Sequence, residues 1–162
     1  MFFPFWEQME PFFKWMQSSW LNAIILNSWW AGAAINIAHL LSLVFFAGAV
    51  LVINFRLLGV GTTALPIVAA DARPWMIGGF AGLAATGILQ LVSLAERNYY
   101  NWNFWFKMTV LIFALIYTIT IWRKVIFADD TMTQPLKAKL VGLISLALWT
   151  SVVIPGRLIG LT

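Results

Sequence analysis

Four stretches of this chain, residues 29–55, 74–95, 104–127 and 138–160, are long and apolar and contain no acidic residue. A helix needs about 20 apolar residues to cross a hydrocarbon layer about 30 Å thick. Lipid offers no hydrogen bonds, so a backbone run of this kind must pair with itself, and the helix does that within one segment. The predicted fold is therefore an all-α membrane protein, an antiparallel four-transmembrane-helix bundle. The first run is about 40 Å long as a helix, which predicts tilt or protrusion.

The rest of the chain fits that frame. Only 10% of the 162 residues are charged, against about 25% in an ordinary soluble domain. The ten tryptophans and thirteen phenylalanines gather at the ends of apolar runs, where amphipathic rings settle at headgroup level. Before the spans, Phe5, Met9, Phe12, Phe13, Met16 and Trp20 recur at helical spacing, opposite Glu7, Glu10, Lys14, Gln17 and Ser18. That pattern predicts an N-terminal interfacial amphipathic helix over residues 5–26, lying in the headgroup plane. The alternative is a helix packed on the bundle. The expected domains are residues 1–27 for this helix and 28–162 for the transmembrane bundle. The opening Met1-Phe2-Phe3-Pro4 has no basic region, and acidic Glu7 and Glu10 follow, so no signal peptide is expected.

Charge placement sets an expected topology. Arg56, Arg73, Arg123, Lys124, Lys137 and Lys139 fall on the side of the loops after spans one and three; Lys14, Arg97, Lys107 and Arg157 fall on the other. By the positive-inside rule the first set is cytoplasmic and both termini face out. The expected location is a bacterial inner membrane, multi-pass, with both termini periplasmic. The net charge of +4 lies beside the spans, so it is a topology signal and no nucleic-acid partner is expected. Without cysteine there is no disulfide, thiolate metal site or thiol catalysis.

The one histidine, His39, lies inside the first run. An ionisable group at that depth is a functional-site hypothesis, because lipid cannot solvate it. Asn36, His39 and Ser42 are three apart and share a helix face, expected to face the bundle interior, where Asn36 and Ser42 would orient the imidazole or line the cofactor pocket. Helix rise puts His39 about 13 Å below the boundary at Trp30, Lys107 about 7 Å deep and Arg157 about 5 Å deep on the same side. Two cations thus lie above one imidazole. The layout suits a haem b ligated by His39, with its carboxylates on Lys107 and Arg157. A quinone headgroup suits the same groups. The remaining alternative is structural: the cations snorkel to lipid phosphates and His39 makes an interhelical hydrogen bond.

A second axial ligand is missing from this reading. Met108 is at a suitable depth but about 100° round its helix from Lys107, and Met76 is near the opposite face. As a metal ligand His39 would also suit copper, yet no methionine cluster accompanies it. Thr86, Gln90, Thr118 and Thr120 are expected to make interhelical hydrogen bonds. Gly78 and Gly82 form a G-x-x-x-G pair, which predicts close helix approach. The spans have no mid-membrane carboxylate, which disfavours proton-coupled transport. There is also no Ser-His-Asp set and no phosphate loop, so no hydrolase or transferase chemistry is expected.

Several segments resemble a family of small bacterial four-span membrane proteins without an assigned function. They are Ile37-Ala38-His39-Leu40-Leu41 with Gly48 and Asn54-Phe55-Arg56-Leu57-Leu58-Gly59; Pro74-Trp75 through Gly78-Gly79-Phe80 to Thr86-Gly87; Asn103-Phe104-Trp105-Phe106-Lys107; and Trp149 through Gly156-Arg157-Leu158-Ile159-Gly160. In that family an aspartate usually stands where this chain has Asn54. The chain is also similar in outline to the membrane module of copper-resistance proteins and to small b-type cytochromes. The resemblance implies the four-span fold and raises a redox reading. The expected function is a small membrane subunit that binds haem or a quinone-like ligand near His39 and serves electron transfer, without catalysis of its own. The alternatives are a structural or accessory subunit of a larger membrane complex, or metal or small-molecule transport. The expected partners are the lipid bilayer and a homo-oligomer or larger assembly.

Overall fold

A computed structural model of the protein describes residues 8–126 and 135–159, with the side chain of Arg157 outside the description. Two short helices come first, α1 (Glu10–Gln17) and α2 (Trp20–Asn27), where the sequence predicts one. Ser19 makes the break. Its backbone is extended, and its hydroxyl accepts the Asn22 N–H at 3.3 Å, capping α2 as serine does at helix starts. Helix α1 docks on the bundle by one face only. Phe13 and Met16 are buried, while Phe12 and Trp20 of the same predicted stripe point outward. Phe5 lies outside the described residues.

The long helices follow as α3 (Ala31–Leu57), α4 (Leu65–Ser93), the short α5 (Ala95–Tyr99), α6 (Trp102–Tyr117) and α8 (Pro135–Leu158). Helix α6 runs on through a π-helical turn (Thr118–Trp122) into α7 (Arg123–Ile126). Four helical stretches are long and apolar enough to cross a membrane, so the chain is a multi-pass membrane protein. The expected ends at residues 127 and 160 and the expected turn at 129–134 lie outside the described residues.

Helix α4 begins nine residues before the predicted start at Pro74. Pro66 takes the opening position instead, where a missing N–H is harmless. Pro74 is inside the helix and deprives the exposed Ala70 carbonyl of its usual donor. The extra turns are held because Leu65, Ala69 and Ala72 bury one stripe. Similarly, Pro155 lies within α8, which continues to Leu158, where the sequence predicts a late interruption. The α3–α4 turn passes through Gly59 and Gly61, both left-handed with φ of 96° and 92°, which glycine adopts without strain.

Helix α3 packs along α4, α6 packs along α8, and contact between α3 and α8 joins the two pairs. Two apolar clusters hold the ends. One joins Ile53, Leu57, Leu65, Trp122, Ile126 and Val141, among others, at the α3–α4 turn. The other joins Phe13, Met16, Val92, Tyr99, Phe104 and Trp105 beneath α1. In that second cluster the Phe13 ring lies 5.4 Å from Tyr99 and 5.7 Å from Trp105. Because α1 sits on α5 and the start of α6, it shares the His39 end of the bundle.

Candidate ligand site around His39

Between the two clusters the α3–α4 pair closes tightly. A Cβ on Gly79 would lie 2.6 Å from the backbone nitrogen of Phe46, and one on Gly82 would strike the Ser42 hydroxyl. Gly78 has open space around it. The close approach therefore uses Gly79 with Gly82, one residue round from the predicted Gly78 with Gly82. Helix rotation is set by what α3 presents, and α3 presents His39, Ser42 and Phe46. Gly87 extends the same contact, since its Cβ would sit 3.6 Å from His39 Cε1.

That approach brings Thr86 to His39. The Thr86 Oγ1 lies 2.8 Å from Nδ1 of His39 and 2.6 Å from the Gly82 carbonyl oxygen. Two oxygens come this close with a proton between them, and the hydroxyl has only one proton. Thr86 therefore donates to Gly82 and accepts from His39. This network assigns the neutral ring as the Nδ1–H tautomer, with the lone pair on Nε2. A ring fixed through one nitrogen with the other left basic is the arrangement of a metal-ligating histidine. The same ring can equally accept a hydroxyl proton.

Lys107 is half-buried, and its side chain lies against Gly156, where a Cβ would be 3.4 Å from Nζ. It enters α6 at the end of the bundle where His39 lies on α3. Among the described residues the ion pair is Lys14 with Glu10 at 2.7 Å, and no carboxylate reaches Lys107. A cation within a span ordinarily has a partner, so this one is available to an anionic or carbonyl group.

The other predicted residues separate. Asn36 is exposed on the outer surface rather than turned into the bundle. Ser42 faces α4 but gives its proton to the Ala38 carbonyl at 2.8 Å, so it packs the helix pair and does not orient the imidazole. The Arg157 side chain lies outside the described residues. Met108 packs on the apolar cluster beneath α1, and Met76 on the cluster at the other end. Neither is placed as a partner to His39. Among the described residues no group of three or more His, Asp or Glu could hold a metal ion. His39 is thus the one protein ligand the described site offers.

Sequence reasoning placed Thr86 among interhelical hydrogen-bonding groups, without its partner. It missed a second polar cluster. Asn54 is fully buried, donates to Ser145 Oγ at 3.0 Å and accepts from Trp122 Nε1 at 2.9 Å. These groups come from α8 and the π-helical turn, so three of the four spans meet on one side chain. The available signal was an Asn, a Trp and a Ser at matching depth in three apolar runs. Thr118 and Thr120 instead bond back to carbonyls in their own helix, at 2.7 and 2.6 Å.

A family model matches residues 12–162, and the chain belongs to that family, described as a family of unknown function, DUF6644. No curated protein and no solved structure matches the chain.

Proposed function

We propose that this member of the family is a small membrane subunit that binds a redox cofactor, haem or a quinone, at His39 and serves electron transfer. The observation that supports it most is the hydrogen-bond relay from His39 through Thr86 to Gly82. The bond to Thr86 uses the Nδ1–H of the neutral ring and leaves the Nε2 lone pair for a second partner. A ligand on Nε2 gives that lone pair a use. Haem would be held by Nε2 on the iron and by Lys107 on a carboxylate, with Arg157 as a further cation. A quinone would be held by Lys107 donating to a carbonyl and by Nε2 accepting from a hydroxyl. Either group would supply reversible electron transfer. The protein's part is to hold it inside the bilayer and to place a base and a cation beside it.

The proposed setting is a bacterial inner membrane with both termini outside. The unequal loop charges support it. The proposed assembly is a homo-oligomer or a larger complex. Within each span's apolar window only 11% to 39% is buried, which leaves most of the helical surface to lipid or partner helices. The same observation supports the second reading, an accessory subunit whose His39–Thr86 bond is structural.

The test is the absorption spectrum of detergent-purified protein, oxidised and dithionite-reduced, with quinone extracted from the same sample. Haem predicts a Soret band that is lost in His39→Ala and shifted in Thr86→Val. A quinone predicts no Soret band, but co-extraction that falls in His39→Ala and Lys107→Met. Folded protein from native membranes with neither group would overturn the redox reading and leave the accessory one.

A further inference from the structure

A groove of about 580 Å³ runs between α3 and α4 on the side away from α8, lined by Val44, Phe45, Gly48, Val52, Ala72 and Trp75, with Thr63 and Asp71 also in its wall. It is separate from the His39 site, which lies beyond Phe46 toward the other end of the bundle. In its wall Phe45 stacks on Trp75 at 5.4 Å and 23°. The apolar wall is outward-facing: Val44, Val52 and Trp75 are all exposed. On a membrane-spanning pair such a wall meets acyl chains.

The polar end has a definite charge pattern. Asp71 is exposed on α4, about 9 Å along the helix from its first residue. That places a carboxylate near the edge of the hydrocarbon layer. Among the described residues it has no cation partner, although unpaired acids at that level are unfavourable. Thr63 adds a cation to the same rim, because its carbonyl accepts the Nε–H of Arg56. The terminal N–H groups of that guanidinium have no partner among the described residues. An apolar trough thus ends at the Asp71 carboxylate, with the Arg56 guanidinium held beside it on Thr63.

We propose that this groove binds an aminophospholipid, with an acyl chain along Gly48 and Val52, the ammonium on Asp71 and the phosphate on Arg56. Charge complementarity selects this occupant. A zwitterionic headgroup with N–H donors answers both rim charges. An anionic glycerol headgroup offers Asp71 hydroxyls but no opposite charge, and a quaternary ammonium offers charge but no N–H to donate. Gly48 keeps the trough open: a Cβ there would meet nothing within 4 Å, so a larger residue fills the groove without disturbing the helix pair.

The experiment is native mass spectrometry of the full chain from micelles with equimolar phosphatidylethanolamine, phosphatidylglycerol and phosphatidylcholine of identical chains. Wild type should retain phosphatidylethanolamine over each competitor by at least about fivefold, the size of one charge-assisted contact. Asp71→Asn should bring that preference within about twofold while lipid is still held. Gly48→Leu should lose bound lipid of every headgroup while its helical circular dichroism is unchanged. Equal retention of the three lipids by wild type would overturn the proposal, as would an undiminished preference in Asp71→Asn or wild-type lipid retention in folded Gly48→Leu.

Discussion

Adding one methyl group at Gly79 should separate α3 from α4, while the same change at Gly78 should do nothing or help. The geometry sets the size of the effect. A Cβ at position 79 would lie 2.6 Å from the Phe46 nitrogen and 2.9 Å from its Cα. Both are backbone atoms, so no side-chain rotation relieves the clash. Relief requires the helices to part by about 1 Å, and a gap of that size forfeits about a quarter to a half of each dispersion contact it opens. Overpacking of this kind costs about 1–3 kcal/mol. Gly78 has nothing within 4 Å, and alanine there gains up to about 1 kcal/mol of helix propensity. That propensity gain is common to both positions, so the two neighbours should differ by the overpacking cost, about 1–3 kcal/mol, roughly 5-fold to 150-fold in the unfolding equilibrium. Reversible unfolding in mixed micelles, followed by circular dichroism, measures the difference. Equal stability of the two variants, or greater damage from Gly78→Ala, would refute the packing argument. Gly79→Ala should also weaken the His39–Thr86 bond, because the same helix face carries both.

Two further expectations follow from other parts of the bundle. Asn54→Leu strands the Trp122 N–H and the Ser145 hydroxyl inside three packed spans; it should destabilise by about 1–3 kcal/mol, and a double-mutant cycle with Ser145→Ala should show non-additivity in the same unfolding assay. The docking of α1 should depend on pH at both extremes. Hydrogen bonds from Lys14 and from the Tyr100 hydroxyl hold the Glu10 carboxyl below its ordinary range, so that contribution is present above the ordinary glutamate pKa and lost as pH falls through the depressed value. The Glu10 hydrogen bond pushes both Lys14 and Tyr100 up, so their contributions are present below their ordinary values and lost as pH rises through the raised ones. Amide exchange over residues 10–17 should be slowest between about pH 5 and about pH 10, after correction for intrinsic rates, relative to a Glu10→Gln control. A correction-independent flat profile would contradict that ion-pair account.

Much of this protein is legible in its sequence for local reasons. Apolar run lengths predict four long helices, and helix rise places His39 and Lys107 at the same end. Exceptions arise where neighbours compete with local signals. Pro74 looks like a helix start, yet burying Leu65, Ala69 and Ala72 extends α4 past it. The first predicted helix divides because Ser19 caps a second one, an option its apolar spacing does not reveal. Asn36 shares a face with His39 on a helical wheel, but α4 covers only the later part of that face.

The sequence by itself determined an all-α, four-span membrane chain with one imidazole in the first span, because hydropathy and helix rise belong to single segments. Tertiary structure decided how each helix is rotated, and so which groups meet. A span that is apolar all round has no periodicity to say which side faces its neighbours. That choice falls to steric fit between pairs: Gly79 rather than Gly78 beneath Phe46, Thr86 against His39, and Asn54 held between Trp122 and Ser145.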